Sequence, residues 1–439
     1  MGNNNGKIGV KNMKIAWFTP FSEKSAIGKY SKLATDALCR YASVDIFVFE
    51  KDNLLKTNLK IINYSINDKL IAKLGEYDII VYNMGDYSPY HEKIYEVLQI
   101  KKGIIIIHDA SLLGLYYGYF CDSKKDGDAF ATLYTQIYCE LADNAINRYT
   151  SNDSTKYGFM EHITSFCSGV IVHSDFHAEI IRRIYNGPLL RIYFPFTQEY
   201  MTVKESSNDS MKETSKINML TVGNINKNKR VYEVVQTIGK SELLKKSLIY
   251  TVIGSKADSE YIKRIEELIE QYNLSDVVKL IGYMDDATLA AYYRDADVIC
   301  NLRNPAIEGA SWSLVEQMSL GKPVIVSDNG FYSEIPDDCV LKISIDNEDK
   351  DLDRILTSIV KDSELLKHKG HSAEKLVNQH FNQQQYAENF MNFTSDIFNM
   401  KPIESLMNRI SFVMNEFNIS KDMKIVETVS EQIEIMFSK

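Results

Sequence analysis

The sequence has few prolines and cysteines, no excess of basic residues and no long apolar run. Eight prolines and 21 glycines in 439 residues exclude collagen-like and low-complexity classes. The six cysteines are scattered without a C-x-x-C pair, which argues against a disulfide framework or zinc site and fits a reducing compartment. With 50 Lys and Arg against 59 Asp and Glu, the net charge of −9 argues against a nucleic-acid-binding chain.

A membrane span is not expected from the sequence either. The longest apolar stretch, residues 103–120, is interrupted by His108 and Asp109 too early for a bilayer-spanning segment. The first residues are polar, and the Ser or Thr of a myristoylation signal is missing. These features predict a cytoplasmic protein.

Short apolar runs alternate with helix-length segments along the chain. Because a parallel sheet covered on both faces needs continuous apolar strands, the runs predict strands at 14–19, 44–49, 78–82, 103–107 and 169–173. A polar segment at 204–216 predicts a linker or exposed loop. The pattern then restarts, with strands predicted at 217–222, 248–253, 277–281, 298–302, 323–326 and 340–343. This order predicts two Rossmann-like α/β domains in tandem.

The remainder of the chain, from about residue 351, is predicted to be mostly helical. Residues 401–439 continue beyond what two such domains need. Their apolar side chains recur at helical spacing, as at Ile410, Val413, Met414 and Phe417. Helix packing, an oligomer contact and a contact with a protein partner all fit this spacing.

Two common nucleotide-binding patterns are missing, and a third is weak. The chain has no G-x-G-x-x-G after its first strand and no Walker A sequence. Asp295 and Asp297 form a D-x-D, which can hold a metal on a nucleotide sugar. They precede an apolar strand, where carboxylates usually cap a helix or turn, so no metal site is predicted.

The strongest pattern lies between Glu308 and Asp328, where a loop, a helix and a strand follow one another. Ser311 and Ser313 are candidate caps of the helix, and free amides at a helix N-terminus bind phosphate. Glu316 lies on the same helix and could accept hydrogen bonds from two ribose hydroxyls.

This E-x7-E string, followed by G-K-P-V-I-V, resembles the retaining glycosyltransferases of the GT-B fold, family 4 type. The resemblance covers residues 13–400, and further landmarks of the family follow in order. They are TPF (19–21), SAIGKYS (25–31), MGD (84–86), IHD (107–109), VHS (172–174), VGNINKNK (222–229), NLR (301–303) and EIP (334–336). Each segment alone is weak evidence, whereas the ordered set is strong.

The resemblance implies two facing Rossmann-like domains with a C-terminal helical extension. Residues 1–200 would bind the acceptor and 201–385 the nucleotide sugar; 386–400 would be a helix crossing back to the first domain, and 401–439 the extension. The implied reaction transfers a sugar from a nucleotide-diphosphate sugar with retention at the anomeric carbon. It needs neither a metal nor another cofactor, because cationic side chains and helix amides neutralise the leaving diphosphate.

The site residues implied by the resemblance are named by position in this chain. His108 and Glu308 are the expected catalytic residues, near the transferred sugar. The donor-binding residues are expected to be Gly28, Asn224, Lys229, Arg303, Ser313, Leu314 and Glu316. Lys229 would bind the diphosphate, Glu316 the ribose, and Ser313 and Leu314 would offer backbone amides to phosphate. His173, at the V-H-S position, fits a site role or packing equally well.

Two positions depart from the family pattern. Ala26 stands where the glycine-rich turn usually has glycine, so only Gly28 remains nearby. Asn224 replaces the arginine of the diphosphate-binding loop, so one cation is missing, and Arg303 or Arg230 could supply it.

Three functions remain open on this basis. The first is a transferase with a glycan or lipid-linked acceptor, as in surface polysaccharide synthesis, working in the cytoplasm or peripherally at the inner membrane face. The second is a nucleotide-binding pseudo-glycosyltransferase acting as an assembly subunit, with 401–439 as its contact surface. The third is a GT-B epimerase, which the E-x7-E pattern disfavours. The donor base and sugar, the acceptor and the oligomeric state are not given by the sequence.

Overall fold

The computed structural model describes residues 13–145, 154–198, 216–417 and 424–437. All but the last residue of the predicted linker at 204–216 lies outside the described residues. Residues Met1–Phe390 form one compact unit and Met391–Lys439 form a second. The first unit contains two parallel sheets, and we call the parts that build them the first and second domains.

The first sheet has seven parallel strands in the order β3-β2-β1-β4-β5-β6-β7. The strands are β1 (Lys14–Phe18), β2 (Ser43–Val48), β3 (Lys60–Asn63), β4 (Ile79–Met84), β5 (Gly103–Ile107), β6 (Cys167–Val172) and β7 (Leu189–Arg191). The five strands predicted here are confirmed. The two missed strands, β3 and β7, are short edge strands without a fully buried residue, so they lack the continuous apolar run used to predict the others.

Helices connect these strands. They are Ala26–Leu38, Asp68–Leu74, Ser88–Ile100, Leu113–Tyr117, Gly127–Tyr138, Met160–Thr164 and Asp175–Arg182, with a π-helical turn at Gly118–Ser123 and a short 3-10 turn at Ala142–Asn144. The parallel crossovers bring helices onto the sheet, and all five residues of β5 are buried. The carboxyl ends of the strands therefore meet at one edge, where ligands bind in open α/β sheets.

The second sheet has six parallel strands in the order β10-β9-β8-β11-β12-β13. Its strands are β8 (Ile217–Val222), β9 (Leu248–Ile253), β10 (Val278–Ile281), β11 (Val298–Asn301), β12 (Val324–Ser327) and β13 (Val340–Ile343), all predicted within two residues. The helices are Val231–Lys240, Glu242–Ser247, Ser259–Gln271, Asp286–Asp295, Trp312–Ser319, Gly330–Ser333, Glu348–Lys361 and Ser363–His380, with a 3-10 turn at Lys227–Lys229. The fold is thus two Rossmann-like domains, as predicted.

A long helix, Gln383–Glu416, begins in the first unit. There Tyr386 packs edge-on against Tyr30 and hydrogen-bonds to its hydroxyl, and Phe390 packs on Trp17. The start of this helix therefore packs on the first domain. In the second unit the helix continues to Glu416 and is followed by Lys424–Phe437, while Phe412, Val413 and Phe417 are exposed.

Candidate functional site

The carboxyl ends of both sheets border the same cleft. A cavity of about 1180 Å³ takes its lining from both domains, and a neighbouring cavity of about 470 Å³ does the same. Asp86, Tyr87, Asp109 and Glu308 line both cavities. The cleft is thus one site with two compartments, and these residues lie where the compartments meet.

Backbone hydrogen bonds join the two domains at this meeting point. Asp109 and Glu308 form an isolated antiparallel bridge, in which Ala110 N donates to Ile307 O at 2.7 Å and Gly309 N to His108 O at 2.8 Å. The loop that carries Glu308 is therefore fixed against the end of β5.

Glu308, an expected catalytic residue, is held on both oxygens. Arg303 Nε donates to its Oε1 at 3.1 Å, and the Tyr332 hydroxyl donates to its Oε2 at 3.2 Å. Arg303 is almost fully buried, and its Nη1 also donates to Leu302 O at 2.8 Å. Arg303 and Glu308, each predicted separately as a site residue, thus come together in the larger cavity.

Lys229 is the second buried cation of this cavity. It ends the 3-10 turn before helix Val231–Lys240, and its Nζ donates to Val222 O at 2.8 Å. Burial, together with the positive charge of Arg303, lowers the pKa of its ammonium well below the usual value. An anion placed beside Lys229 would offset this burial and favour the charged amine.

His108 lines the smaller cavity from the end of β5. Its Nε2 lies 3.1 Å from Asn83 Oδ1, and the Tyr30 ring packs on it edge-on at 4.7 Å. Burial and the neighbouring His173 lower the pKa of His108 well below its usual value, so the imidazole is neutral. His173 lines the same cavity, and its Nδ1 bonds to Ile192 O at 2.9 Å, so it has both a packing role and access to the site.

Two carboxylates at the centre of the cleft were not predicted as site residues. Asp86 Oδ1 accepts hydrogen bonds from the backbone amides of Gly114 and Leu115, and Asp109 Oδ2 accepts one from Asp86 N at 2.8 Å. Burial and the charge of Asp86 raise the pKa of Asp109 to about 8. Both residues belong to segments that the family resemblance singled out, MGD and IHD, but only the histidine was selected from them.

The helix Trp312–Ser319 presents its N-terminus to the smaller cavity. Ser311 is its N-cap and accepts the amide of Leu314 at 3.3 Å, so that amide is already engaged by the cap. Ser313 lines the cavity, and its hydroxyl lies 3.2 Å from Ser311 Oγ. Glu316 is on the same helix and half-buried, but neither cavity reaches it.

Gly28 has a packing role rather than a place in the cleft. Its amide donates to Ser25 Oγ at 3.1 Å, and an added Cβ would lie 2.8 Å from Ser22 O. The cleft is lined instead by Ser25 and Ala26 of the same turn. Neighbouring backbone thus fills the space that the missing side chain leaves open, and Gly28 lines neither cavity, so a donor contact at Gly28 stays a prediction.

Arg303 and Arg230 are the two residues that could replace the missing arginine, and they differ in the carboxylates that already pair with them. Asn224 is exposed and lines the larger cavity. Arg230 lines it too, but it forms a two-pronged pair with Glu348 and a 3.0 Å pair with Glu233. Arg303 has one carboxylate partner, Glu308, which is itself a site residue. Arg303 is thus the better placed cation.

Charge is divided across the larger cavity. Among its lining residues, all four cationic side chains come from the second domain: Lys227, Lys229, Arg230 and Arg303. The first domain contributes Asp86, Asp109 and Asp122, and within this lining no Lys, Arg or His. An anion would therefore bind on the side of the second domain. Within the described residues no group of three or more His, Cys, Asp or Glu is placed to hold a metal ion.

The match with a protein family falls in the second domain, which also carries the cations of the larger cavity. Residues 203–376 match the family described as Glycosyl transferases group 1. The match lies in the part of the chain that carries Lys229, Arg303, Glu308 and Glu316, and it covers less than half of the chain. No curated protein matches the sequence.

Several solved structures share the fold of this chain. HepE of Anabaena, in complex with UDP, has 14% identity and a TM-score of 0.62, with 88% of this chain and 100% of that chain covered. Sucrose-phosphate synthase of Thermosynechococcus elongatus has 16% identity and a TM-score of 0.60, covering 89% and 100%. A glycosyltransferase of Rickettsia africae has 13% identity and a TM-score of 0.62, covering 88% and 98%. At such identities the likeness shows the fold, which is GT-B.

The family match and the GT-B fold together support a glycosyltransferase. No helix within the described part of the chain is both long and apolar enough to cross a membrane.

Proposed function

We propose that this chain is a retaining, metal-independent glycosyltransferase of family 4 type, which transfers a sugar from a nucleotide-diphosphate sugar to a glycan. The observation that carries the proposal is the pair of buried cations, Lys229 and Arg303, facing a cavity between two Rossmann-like domains beside Glu308. HepE, which has the same fold, has been solved with UDP and with UDP-glucose, which supports a nucleotide sugar as donor.

In this proposal the diphosphate lies against the second domain. Lys229 and Arg303 neutralise its charge, and the N-terminus of helix Trp312–Ser319 contributes the amide of Ser313. Glu316 binds the ribose hydroxyls, which requires the bound nucleotide to reach beyond the two cavities. Asn224 borders the phosphates in place of the missing arginine.

The sugar then occupies the meeting point of the compartments, between Glu308 and His108. The bond from the anomeric carbon to the diphosphate oxygen breaks, and the acceptor hydroxyl oxygen bonds to that carbon while its proton passes to the leaving diphosphate. The buried cations stabilise the negative charge that develops on the leaving group, in positions fixed before the reaction begins. His108, neutral in this environment, can exchange a hydrogen bond with the sugar without adding charge.

The wall of the first domain favours an uncharged acceptor. Three aspartates and no cation from this domain line the larger cavity, and Tyr87 is 62% exposed at its edge. Lys24 of this domain lines only the smaller cavity. In the larger cavity a phosphorylated, lipid-linked acceptor would meet no cation of the first domain, whereas an aromatic ring and carboxylates suit the hydroxyls and ring faces of a glycan. We therefore propose a glycan acceptor, as in polysaccharide synthesis.

A thermal-shift panel of UDP, GDP, TDP and CDP, each with and without magnesium, tests the donor site. A ligand at 100 times its dissociation constant stabilises the protein by about 2.7 kcal/mol. One diphosphate should raise the melting temperature without magnesium and should fail to do so in Lys229→Ala. Its nucleotide sugars are then tested for turnover, and the anomeric configuration of the product is determined by NMR.

Other outcomes reject the proposal in different ways. A diphosphate that binds without any turnover of its sugars would favour a pseudo-glycosyltransferase. Conversion of the nucleotide sugar in the absence of an acceptor would favour an epimerase. If no diphosphate raises the melting temperature of a folded sample, the proposed nucleotide site is rejected.

A further inference from the structure

Outside the cleft, one carboxylate of the second domain lies on the N-terminus of a helix of the first domain. Glu334 follows the short helix Gly330–Ser333. Its Oε2 accepts a hydrogen bond from Asp175 N at 3.0 Å, and its Oε1 accepts one from Phe176 N. These two amides open helix Asp175–Arg182, where the first N–H groups have no partner within the helix.

The rest of this helix end is satisfied by its own cap. Ser174 is the N-cap, and its Oγ accepts the amide of His177 at 3.1 Å. The same hydroxyl donates to Gly309 O in the loop of the second domain that carries Glu308. The first turn of helix Asp175–Arg182 thus binds two segments of the second domain. Ser174 binds the loop that carries Glu308, and the first backbone amides of the helix bind the Glu334 carboxylate.

The guanidinium of Arg191 pairs with both carboxylates at this contact, those of Asp175 and Glu334. Its Nη2 lies 3.0 Å from Asp175 Oδ2 and 3.7 Å from Glu334 Oε2, and its guanidinium packs 3.9 Å from the centre of the Tyr193 ring. A carboxylate at the positive end of a helix, with an arginine beside it, is a charge-assisted contact of the stronger kind. None of these three residues lines either cavity of the cleft.

We infer that Glu334 is an interdomain latch, which holds the two domains in the closed arrangement and thereby positions Glu308 against the end of β5. Glu334 does not touch the reacting atoms in this assignment. It acts as a positioning residue, because the helix it caps is the helix whose N-cap binds Gly309. Its effect on sugar transfer rests on the proposed function, whereas its effect on closure does not.

The fluorescence of Trp312 can be used to follow closure of the two domains. The chain has two tryptophans, of which Trp17 is 0% exposed in the core of the first domain. Trp312 begins a helix of the second domain and packs on Phe194 and Phe196, at ring distances of 5.5 and 5.2 Å. Trp312 also lines the smaller cavity, whose opposite wall includes His108 and His173 of the first domain. Opening of the cleft would therefore expose more of the half-buried Trp312 and leave Trp17 protected, so acrylamide quenching of tryptophan fluorescence follows closure without any ligand.

The test compares Glu334→Ala and the milder Glu334→Gln with a matched control, Asp351→Asn. Asp351 also accepts a backbone amide, that of Ser344 at 3.0 Å, and pairs with an arginine, Arg354, but both partners lie in its own domain. Loss of a hydrogen-bonded charge should shift the ratio of closed to open molecules about tenfold. Quenching should then increase in Glu334→Ala, increase less in Glu334→Gln, and stay at the wild-type value in Asp351→Asn.

Quenching in both Glu334 variants equal to that of the wild type would overturn the latch, whatever the protein catalyses. An equal increase in Asp351→Asn would also overturn it, because the effect would then be general destabilisation. If Glu334→Ala does not fold, Glu334→Gln carries the comparison. In the active enzyme, Glu334→Gln should lower kcat several-fold and leave the KM for the donor nearly unchanged, since the donor site itself is intact.

Discussion

The backbone amide of Gly309 in the second domain donates to the carbonyl oxygen of His108 in the first, at 2.8 Å. His108, which directly follows β5, is one expected catalytic residue, and Gly309 follows the other, Glu308. This hydrogen bond and the one from Ala110 N to Ile307 O therefore join the backbones that carry both groups. Their separation is set by main-chain geometry, which is stiffer than any contact between two long side chains.

Gly309→Ala should disrupt this junction. An added Cβ would lie 2.3 Å from His177 Nδ1 and 2.8 Å from His108 O, closer than real contacts allow, so the loop must shift. We expect a loss of about 1–3 kcal/mol in the free energy of unfolding, measured by urea denaturation, and a large loss of transfer. Gly282→Ala is the matched control, because a Cβ there would meet nothing within 4 Å. Equal stability of the two variants would contradict the junction.

Lys229→Ala and Glu316→Ala should each abolish most sugar transfer while the protein stays folded. The first removes a buried cation from the diphosphate site, and the second removes the proposed ribose contact. Loss of one preorganised electrostatic contact commonly costs about 10²–10³ in rate. Initial rates with the identified donor measure the effect, and Lys240→Ala, an exposed lysine of a neighbouring helix, serves as control. Wild-type turnover in both variants would refute the site assignment.

Asp109→Asn should change how stability depends on pH between about 4 and 8. Burial and Asp86 raise the pKa of Asp109 to about 8, so folding in the wild type keeps a proton that the unfolded chain releases above its ordinary pKa of 3.8. Stability is therefore fully present below 3.8 and declines as the pH rises towards 8, by about 1.4 kcal/mol per unit. Asparagine cannot ionise and keeps an oxygen for the amide of Asp86. Urea titrations at several pH values should show the free energy of unfolding of the variant rising relative to that of the wild type between pH 5 and 8. Parallel curves of this free energy against pH would contradict the raised pKa of Asp109.

Buried histidines should make the protein sensitive to acid; besides His108, they include His91, His173 and His177. Burial lowers the pKa of His91 to about 4, of His173 to about 4 and of His177 to about 3. Each is neutral in the folded protein but takes up a proton when unfolded below its ordinary pKa of 6.5. Their contribution to stability is therefore present above 6.5 and falls by about 1.4 kcal/mol per unit for each histidine as the pH drops towards 4.

Equilibrium unfolding between pH 7 and 5 measures this loss. His177→Gln is the informative variant, since neither ring nitrogen of His177 has a hydrogen-bond partner among the described residues. It should reduce the slope of stability against pH by about 1.4 kcal/mol per unit, the contribution of one titrating group. Equal slopes in the wild type and in His177→Gln would show that His177 takes up its proton in the folded state as readily as in the unfolded chain.

The sequence predicted the sheets well because buried parallel strands have a simple pattern. The run Gly103–Ile107 is apolar throughout and proved to be β5, with every residue buried. Lys60–Asn63 and Leu189–Arg191 were missed because edge strands bury only part of their surface and carry polar residues. The segment order also placed Lys229, Arg303 and Glu308 at strand or helix ends of one domain, where parallel topology brings them together.

Contacts between the domains could not be predicted in the same way. Nothing in the sequence indicates that Glu334 meets the amide of Asp175, since the two are separated by 159 residues and neither stands in a periodic pattern. Gly28 shows the converse problem. A glycine in a turn fits either a phosphate contact or close backbone packing, and only the position of Ser22 O identifies the second.

The hydroxyl of Ser174 bonds on one side to its own helix and on the other to Gly309 of the second domain. The first turn of helix Asp175–Arg182 is therefore stabilised in part by residues more than a hundred positions later in the chain. If the two halves were expressed as separate polypeptides, the first would carry a helix with uncapped amides and uncovered aromatic side chains at Phe194 and Phe196. The halves should thus behave as complementing fragments, each poorly soluble alone and recovered when both are produced together.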